Sequence, residues 1–160
     1  MGAFFHSISA RTAGFSTYSI GEFTNAGLFV LCVLMFIGAS PGSTGGGIKT
    51  STFFVLAQST RSMFSKQAVG AFKRSISSQN VSKAYAISML SALVVIVATF
   101  LAVRVRAEFQ FIQLLFEVIS AFGTVGLSTG ITPDLSGAGK LVIILVMFIG
   151  RLGAMTLISM

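Results

Sequence analysis

Apolar and polar positions divide this 160-residue chain into four apolar stretches. Residues 84–103 contain no charged side chain, and twenty such residues suffice for one helix across about 30 Å of hydrocarbon. Residues 139–160 form another long apolar stretch that is interrupted only by Lys140 and Arg151. Residues 108–122 and 26–39 are too short to span a bilayer comfortably, and 108–122 suits a re-entrant helix that enters and leaves by the same face. The pattern predicts an all-α membrane protein.

Loop-forming residues follow the stretch at 26–39, at a place where a membrane helix would be expected to continue. Irregular backbone at membrane depth is tolerated only where protein or a water-filled cavity satisfies it, and broken helices often mark ion or substrate sites. A nucleotide-binding P-loop is a poor match, because Ile48 separates the glycines from Lys49 and the run follows a helix. The segment consists of Ser40, Pro41, Gly42, Ser43, Thr44, Gly45, Gly46 and Gly47.

An internal repeat relates the two ends of the chain with an offset of 112 residues. Residues 12–38 align without a gap on residues 124–150, with 11 identities in 27 positions. The identities include a T-x-G-Φ-S-T motif and, further on, the sequence Met-Phe-Ile-Gly. Two separated motifs in one register indicate a true repeat. Each copy is predicted to contain a re-entrant helix, a filter-like extended loop and a membrane helix.

Composition and charge agree with a membrane location. The chain is 54% hydrophobic and 9% charged, with a mean hydropathy of +0.90, whereas soluble domains carry about a quarter charged residues. The net charge is +7, but five of the eleven basic residues lie in the acid-free stretch 61–83 between apolar segments. Such a stretch is typical of a cytoplasmic loop rather than of a nucleic-acid site. The predicted organisation is 1–60 as the end of one repeat, 61–83 as a cytoplasmic basic loop, and 84–160 as a second repeat.

The T-x-G loops suit a monovalent cation. A dehydrated K⁺ ion needs oxygens in place of its water shell, and backbone carbonyls of short extended loops supply them in potassium channels. Glycine allows the backbone to turn without a side-chain clash, and the carboxyl end of the preceding helix carries about half a negative charge. The predicted selectivity filter consists of Thr12, Ala13, Gly14, Phe15, Thr124, Val125, Gly126 and Leu127.

Arg151 lies within an apolar stretch, where a charged residue costs about 2.5–3.5 kcal/mol on insertion scales. Two interpretations remain open for it. It acts as a positive barrier to cations below the filter, or it pairs with Glu117 or with carbonyl groups of 40–47. The sequence shows no metal cluster, nucleophile–base pair or suitably spaced carboxylate pair, so we expect no enzymatic activity and no cofactor beyond the transported ion.

The chain resembles the Trk/Ktr/HKT superfamily of cation transporters over essentially its whole length, most closely the membrane subunit of bacterial Ktr-type potassium uptake systems. The matching motifs are residues 11–17, 38–49, 122–129 and 148–153. The resemblance implies four helix–pore-helix–helix repeats with pseudo-fourfold symmetry around one pore, with Gly14 and Gly126 as filter glycines of the third and fourth repeats. It also implies that 40–47 gates the pore and that Arg151 is the basic residue beneath the filter.

The same resemblance implies a multi-pass protein of the bacterial plasma membrane, in contact with lipid, that forms a homodimer regulated by a cytoplasmic nucleotide-binding ring near 61–83. Glycine at both filter positions favours potassium, with a possible dependence on sodium. Two filter strands cannot encircle an ion, so we expect a piece that is completed by N-terminal repeats or another copy. The alternatives are a secondary transporter with a substrate site at its broken helix, and a non-conducting membrane interaction fragment.

Overall fold

The computed structural model describes residues 2–43, 45–65, 70–71, 74–105 and 109–156, and these ranges are almost entirely helical. A 3-10 turn at Ile20–Glu22 precedes the second helix, and two-residue strands β1 and β2 form a small antiparallel hairpin. The all-α class predicted from the sequence is confirmed. The elements are α1 (Gly2–Ser9), α2 (Asn25–Phe36), α3 (Thr50–Ser65), β1 (Gly70–Ala71), β2 (Arg74–Ser75), α4 (Ser78–Val105), α5 (Phe111–Gly123) and α6 (Gly137–Thr156).

Helix α4 is the one helix in the described ranges that is long and apolar enough to cross a membrane. An 18-residue window within it has a mean hydropathy of 2.6, and the 28 residues of the helix extend over about 42 Å. Met89, Ile96 and Phe100 are exposed along one face, as expected for side chains in contact with lipid. The small residues Ala98 and Ala102 are buried, and small side chains allow membrane helices to pack closely at such positions.

Helix α5 lies at the centre of the structure and packs against α2, α4 and α6. Leu114, Phe116 and Val118 are fully buried on it. Gln110 and Gln113 form a capping box that satisfies backbone N–H groups at its first turn. Its 13 residues extend over only about 20 Å, so it is too short to span a bilayer. It therefore lies where the sequence predicts a re-entrant helix.

The predicted break after residues 26–39 is present between α2 and α3. Helix α2 starts at an N-cap, where Thr24 accepts a hydrogen bond from the Gly27 N–H at 3.3 Å, and it ends after Phe36. The chain leaves the helix and comes back upon itself, so that Ile37 and Ile48 form an isolated parallel bridge. Helix α3 then begins at Thr50.

The helices on either side of the predicted basic loop extend into it. Helix α3 continues to Ser65 and α4 begins at Ser78, so both enter the range 61–83. Polar residues within the range 61–83 are helical at both ends of it. They do not need surrounding lipid to be so, because an α-helix satisfies its own backbone hydrogen bonds. Lys66 and Lys73 lie outside the described residues.

Candidate functional site

The two T-x-G loops follow α1 and α5 and share an unusual backbone. Thr12 has a φ of 66° and Thr124 a φ of 52°, and two residues later Gly14 and Gly126 have φ of 74° and 91°. A β-branched residue with positive φ is rare, and such strain is retained where the surrounding structure enforces it, often at functional sites. The repeat detected in the sequence is thus a repeat of backbone conformation.

A serine from the preceding helix holds each loop. Ser120 Oγ donates to the Leu127 carbonyl at 2.6 Å, and Ser9 Oγ donates to the Phe15 carbonyl. The Phe15 and Leu127 carbonyls are equivalent under the 112-residue offset. Ser9, however, aligns with Ala121 and not with Ser120. The two serines make the same contact from positions that differ by one residue, so the gapless alignment conceals their equivalence.

The structure brings the two loops together at their glycines. A Cβ atom at Gly14 would overlap the Val125 carbonyl oxygen, so only glycine fits there. A Cβ at Gly126 would lie 4.0 Å from the Gly14 Cα, so there it is the positive φ that favours glycine. Residues predicted as filter from two distant parts of the sequence are therefore neighbours.

Glu117 in α5 fixes the segment that follows the second loop. Its side chain is 6% exposed, and Oε1 accepts hydrogen bonds from Ser128 Oγ at 2.8 Å, the Thr129 N–H at 2.8 Å and Thr129 Oγ1 at 3.0 Å. Oε2 accepts from Thr132 Oγ1 at 2.9 Å. Sequence analysis missed this role, although the Ser-Thr pair that ends each motif supplies donors suited to a carboxylate.

The loop between α2 and α3 is closed at its base by backbone hydrogen bonds. The Gly38 N–H donates to the Ile48 carbonyl at 2.8 Å, and the Ile48 N–H donates to the Phe36 carbonyl at 3.2 Å. A Cβ at Gly38 would overlap the Gly46 carbonyl oxygen. Gly38 is the last residue of the repeated Met-Phe-Ile-Gly sequence, and the close approach of two backbones explains its identity.

The far end of this loop contacts the start of both T-x-G loops. The Gly46 N–H donates to Thr124 Oγ1 at 2.8 Å, and a Cβ at Gly45 would lie 3.0 Å from Thr12 Cγ2. Thr124 directly follows α5, and Thr12 lies three residues after the end of α1. Ser40, Pro41 and Gly42 are exposed, and Thr44 lies outside the described residues.

Lys49, which the sequence analysis did not select, is buried at the base of the loop with 3% of its surface exposed. Its Nζ donates to the Ser43 carbonyl and, at 3.2 Å, to the Gly45 carbonyl. A buried ammonium group needs such acceptors, because it has lost its water. The only sign of this role in the sequence was the position of Lys49, two residues after a run of glycines.

Arg151 is exposed on α6, one residue after Gly150, which packs against the end of α5. A Cβ at Gly150 would overlap the Phe122 carbonyl oxygen. Within the described residues Glu117 is hydrogen-bonded to the segment 128–132 and forms no ion pair with Arg151, so that predicted pairing is not observed. The barrier role of Arg151 stays a prediction.

Known proteins are similar to this chain over nearly its whole length. The family model TrkH, described as "Cation transport protein", matches residues 1–160. The chain is 45% identical over 161 residues to Ktr system potassium uptake protein B of Vibrio alginolyticus, covering 100% of this chain and 35% of that protein. It is also 45% identical over 156 residues to Ktr system potassium uptake protein D of Bacillus subtilis (strain 168), covering 95% of this chain and 34% of the relative.

A solved structure has the same fold. The potassium transporter TrkH from Vibrio parahaemolyticus matches with a TM-score of 0.75 and 25% identity, covering 99% of this chain and 36% of the solved one. The chain thus spans about a third of the length of the relatives that it matches. The resemblance stated from the motifs is confirmed: this membrane-embedded chain belongs to the TrkH family of cation transport proteins.

Proposed function

We propose that this chain supplies two of four filter loops to a potassium-selective pathway in a complete membrane transporter. The observation that carries the proposal is the meeting of the two T-x-G loops at Gly14 and the Val125 carbonyl, each loop with the same alternation of left-handed residues. Backbone carbonyls of short filter loops replace the water of a dehydrated cation in potassium channels. The relatives named as potassium uptake proteins support potassium as the ion.

We propose that the loop 40–47 closes this pathway at the deep end of the filter. Gly45 and Gly46 lie against the threonines with which both filter loops begin, so a cation that leaves the filter inward meets this loop. Arg151, near the end of α5, adds a positive barrier at a similar depth. Opening requires the Gly46–Thr124 hydrogen bond to break.

The assembly proposed for the complete protein follows the expectations from its family. N-terminal repeats supply the other two filter loops and give a pore with pseudo-fourfold symmetry. The complete protein is a homodimer in the bacterial plasma membrane, with a nucleotide-binding regulatory ring on the cytoplasmic side and a possible dependence on sodium. Arg61, exposed near the end of α3, is available to such a cytoplasmic partner.

The test is a chimera in which this chain replaces the matching 35% of the Vibrio alginolyticus protein. We expect the chimera to restore growth at low potassium in a bacterium that lacks potassium uptake, and Gly126→Ser to reduce the preference for K⁺ over Na⁺. The control is Gly137→Ser, because a Cβ at Gly137 meets no atom within 4 Å. A chimera that reaches the membrane but carries no potassium would refute the proposal.

A further inference from the structure

An apolar cavity lies between α2, α3, α4 and α5. Its volume is about 540 Å³, which is within the range of sites that bind small molecules. Met89 and Ile96 of α4 line the cavity and are themselves largely exposed, so it opens at the lipid-facing surface. An apolar cavity of this kind accepts a hydrocarbon more readily than water. The lining also includes Phe29, Phe36, Phe53 and Leu115.

The lining offers no free polar group to a ligand. Ser88 contributes the only hydroxyl among the lining residues, all of which the structure describes, and its Oγ donates to the Tyr85 carbonyl at 2.9 Å. Cys32 contributes a thiol, which behaves as a small apolar group when buried. A ligand in this cavity therefore gains affinity by burying hydrocarbon, whereas a polar molecule would lose hydrogen bonds to water without replacement.

A contact between α3 and α4 marks one end of the cavity. The hydroxyl oxygens of Tyr85 in α4 and Ser59 in α3 are 3.4 Å apart, so these residues lie side by side. The lining residues Leu56 and Ser88 are three positions from this pair, both in the direction of the cavity. Tyrosine is enriched at the boundary between membrane and water, and Tyr85 is partly exposed. The cavity thus begins about one helical turn inside that boundary.

Two basic side chains lie on the other side of the same contact. Arg61 is two residues beyond Ser59, and Lys83 is two residues before Tyr85, so each is about 3 Å further from the cavity along its helix. Both side chains are exposed. The sequence contains no acidic residue in the range 23–107, so no carboxylate of α3 or α4 neutralises them. An acid-free basic stretch between apolar segments is typical of the cytoplasmic side of a membrane.

We infer that an anionic phospholipid of the cytoplasmic leaflet binds at this place, with one acyl chain in the cavity and its phosphate at Arg61 and Lys83. A single phospholipid satisfies both halves of the site, since its chain is apolar and its phosphate is negative. The cytoplasmic leaflet supplies such lipids, and basic residues near its surface attract them. The site does not depend on the ion pathway proposed above.

The first experiment tests the headgroup. Native mass spectrometry counts the phosphatidylglycerol bound to the detergent-solubilised chimera, with phosphatidylcholine as the neutral comparison. We expect phosphatidylglycerol to bind more tightly, and the double variant Arg61→Gln and Lys83→Gln to weaken its binding about ten-fold. The matched control is the double variant Arg104→Gln and Lys140→Gln. It removes two exposed positive charges from the far end of α4 and from α6.

The second experiment tests the cavity. Ala92 lines it from α4, so Ala92→Phe puts a large apolar side chain in the space assigned to the acyl chain. We expect about ten-fold weaker binding of phosphatidylglycerol. The thermal unfolding midpoint in lipid-free detergent should be unchanged or higher, because filling a cavity commonly stabilises a protein. Ala92→Leu fills less of the space, should give a smaller loss, and carries the test if Ala92→Phe does not fold. The control is Ala138→Phe, at an exposed position of α6.

The outcomes that overturn the inference are distinct from those that refute the proposed function. Equal binding of the two lipids, or equal losses in the two double variants, would remove the phosphate site. Unchanged lipid binding in the Ala92 variants would remove the acyl chain from the cavity, and separation of the subunits of the chimera in those variants would show that a second copy covers it. Lipid binding is measured without ion transport, so a chimera that binds phosphatidylglycerol but carries no potassium refutes only the proposed function.

Discussion

The two filter loops have the same motif and the same backbone but different surroundings. In the second loop Leu127 is 2% exposed and Val125 is buried, whereas in the first loop Phe15 is 71% exposed and Ala13 is also exposed. The positive-φ threonine and glycine and the serine anchor occur in both. The two loops therefore keep the same conformation although the side chains at 13 and 15 are exposed and those at 125 and 127 are buried.

Hydrogen bonds from neighbouring segments hold the second loop and have no equivalent in the first. Glu117 binds the segment after that loop through four hydrogen bonds, while its counterpart under the 112-residue offset is Phe5, an apolar side chain. Thr124 accepts the Gly46 N–H, whereas the Thr12 hydroxyl donates to the neighbouring Arg11 carbonyl at 2.6 Å. Among the described residues, the second loop is held by side-chain hydrogen bonds at its start and beyond its end, and the first loop lacks the equivalents of both contacts.

The glycines give the largest expected difference between the loops. Gly14→Ala combines a left-handed backbone with overlap of the Val125 carbonyl, which together cost about 4 kcal/mol, whereas Gly126→Ala has only the backbone cost of about 1–2 kcal/mol. We expect potassium uptake by the chimera to be nearly abolished by Gly14→Ala and only weakened by Gly126→Ala. Gly137→Ala is the control, and equal losses at the two filter glycines would contradict the geometry.

Glu117→Ala is expected to remove the rigidity of the second loop. Its loss leaves donors of the segment 128–132 without their acceptor and lowers the free energy of unfolding by about 3 kcal/mol. Glu117→Gln should have a smaller effect, because the amide retains one acceptor oxygen. Thermal unfolding of the purified chimera measures both. Glu22→Ala is the control at an exposed acid, and a Glu117→Ala midpoint equal to that of the control would refute the clamp.

The threonines should give the smallest difference. Thr124→Val removes the acceptor of the Gly46 N–H and costs about 1 kcal/mol of loop closure, whereas Thr12→Val removes only a local contact. Hydrogen–deuterium exchange of the peptide that contains Gly46 measures the effect directly. We expect faster exchange in Thr124→Val than in Thr12→Val, and indistinguishable exchange would show that the hydrogen bond does not hold the loop.

The sequence by itself determined the fold class, the repeat and the two T-x-G loops. These are features with local causes: helix formation follows from long apolar runs, and left-handed turns follow from glycine at fixed places. The break between α2 and α3 was likewise predictable from the residues at 40–47. The ends of the helices were harder to predict, since α3 and α4 extend into the predicted basic loop.

Only the tertiary structure decided which parts of the chain meet. The contact of Gly46 with Thr124 joins residues 78 positions apart, and neither residue type reveals the other. The sequence suggested the Arg151 guanidinium as a partner of Glu117, and packing selected the hydroxyls near its own loop instead. From its residue type alone, Lys49 would be expected to lie on the surface, and only the folded loop shows that it is buried. Such contacts depend on long-range packing, so the proposed closure of the pathway was visible only once the helices were assembled.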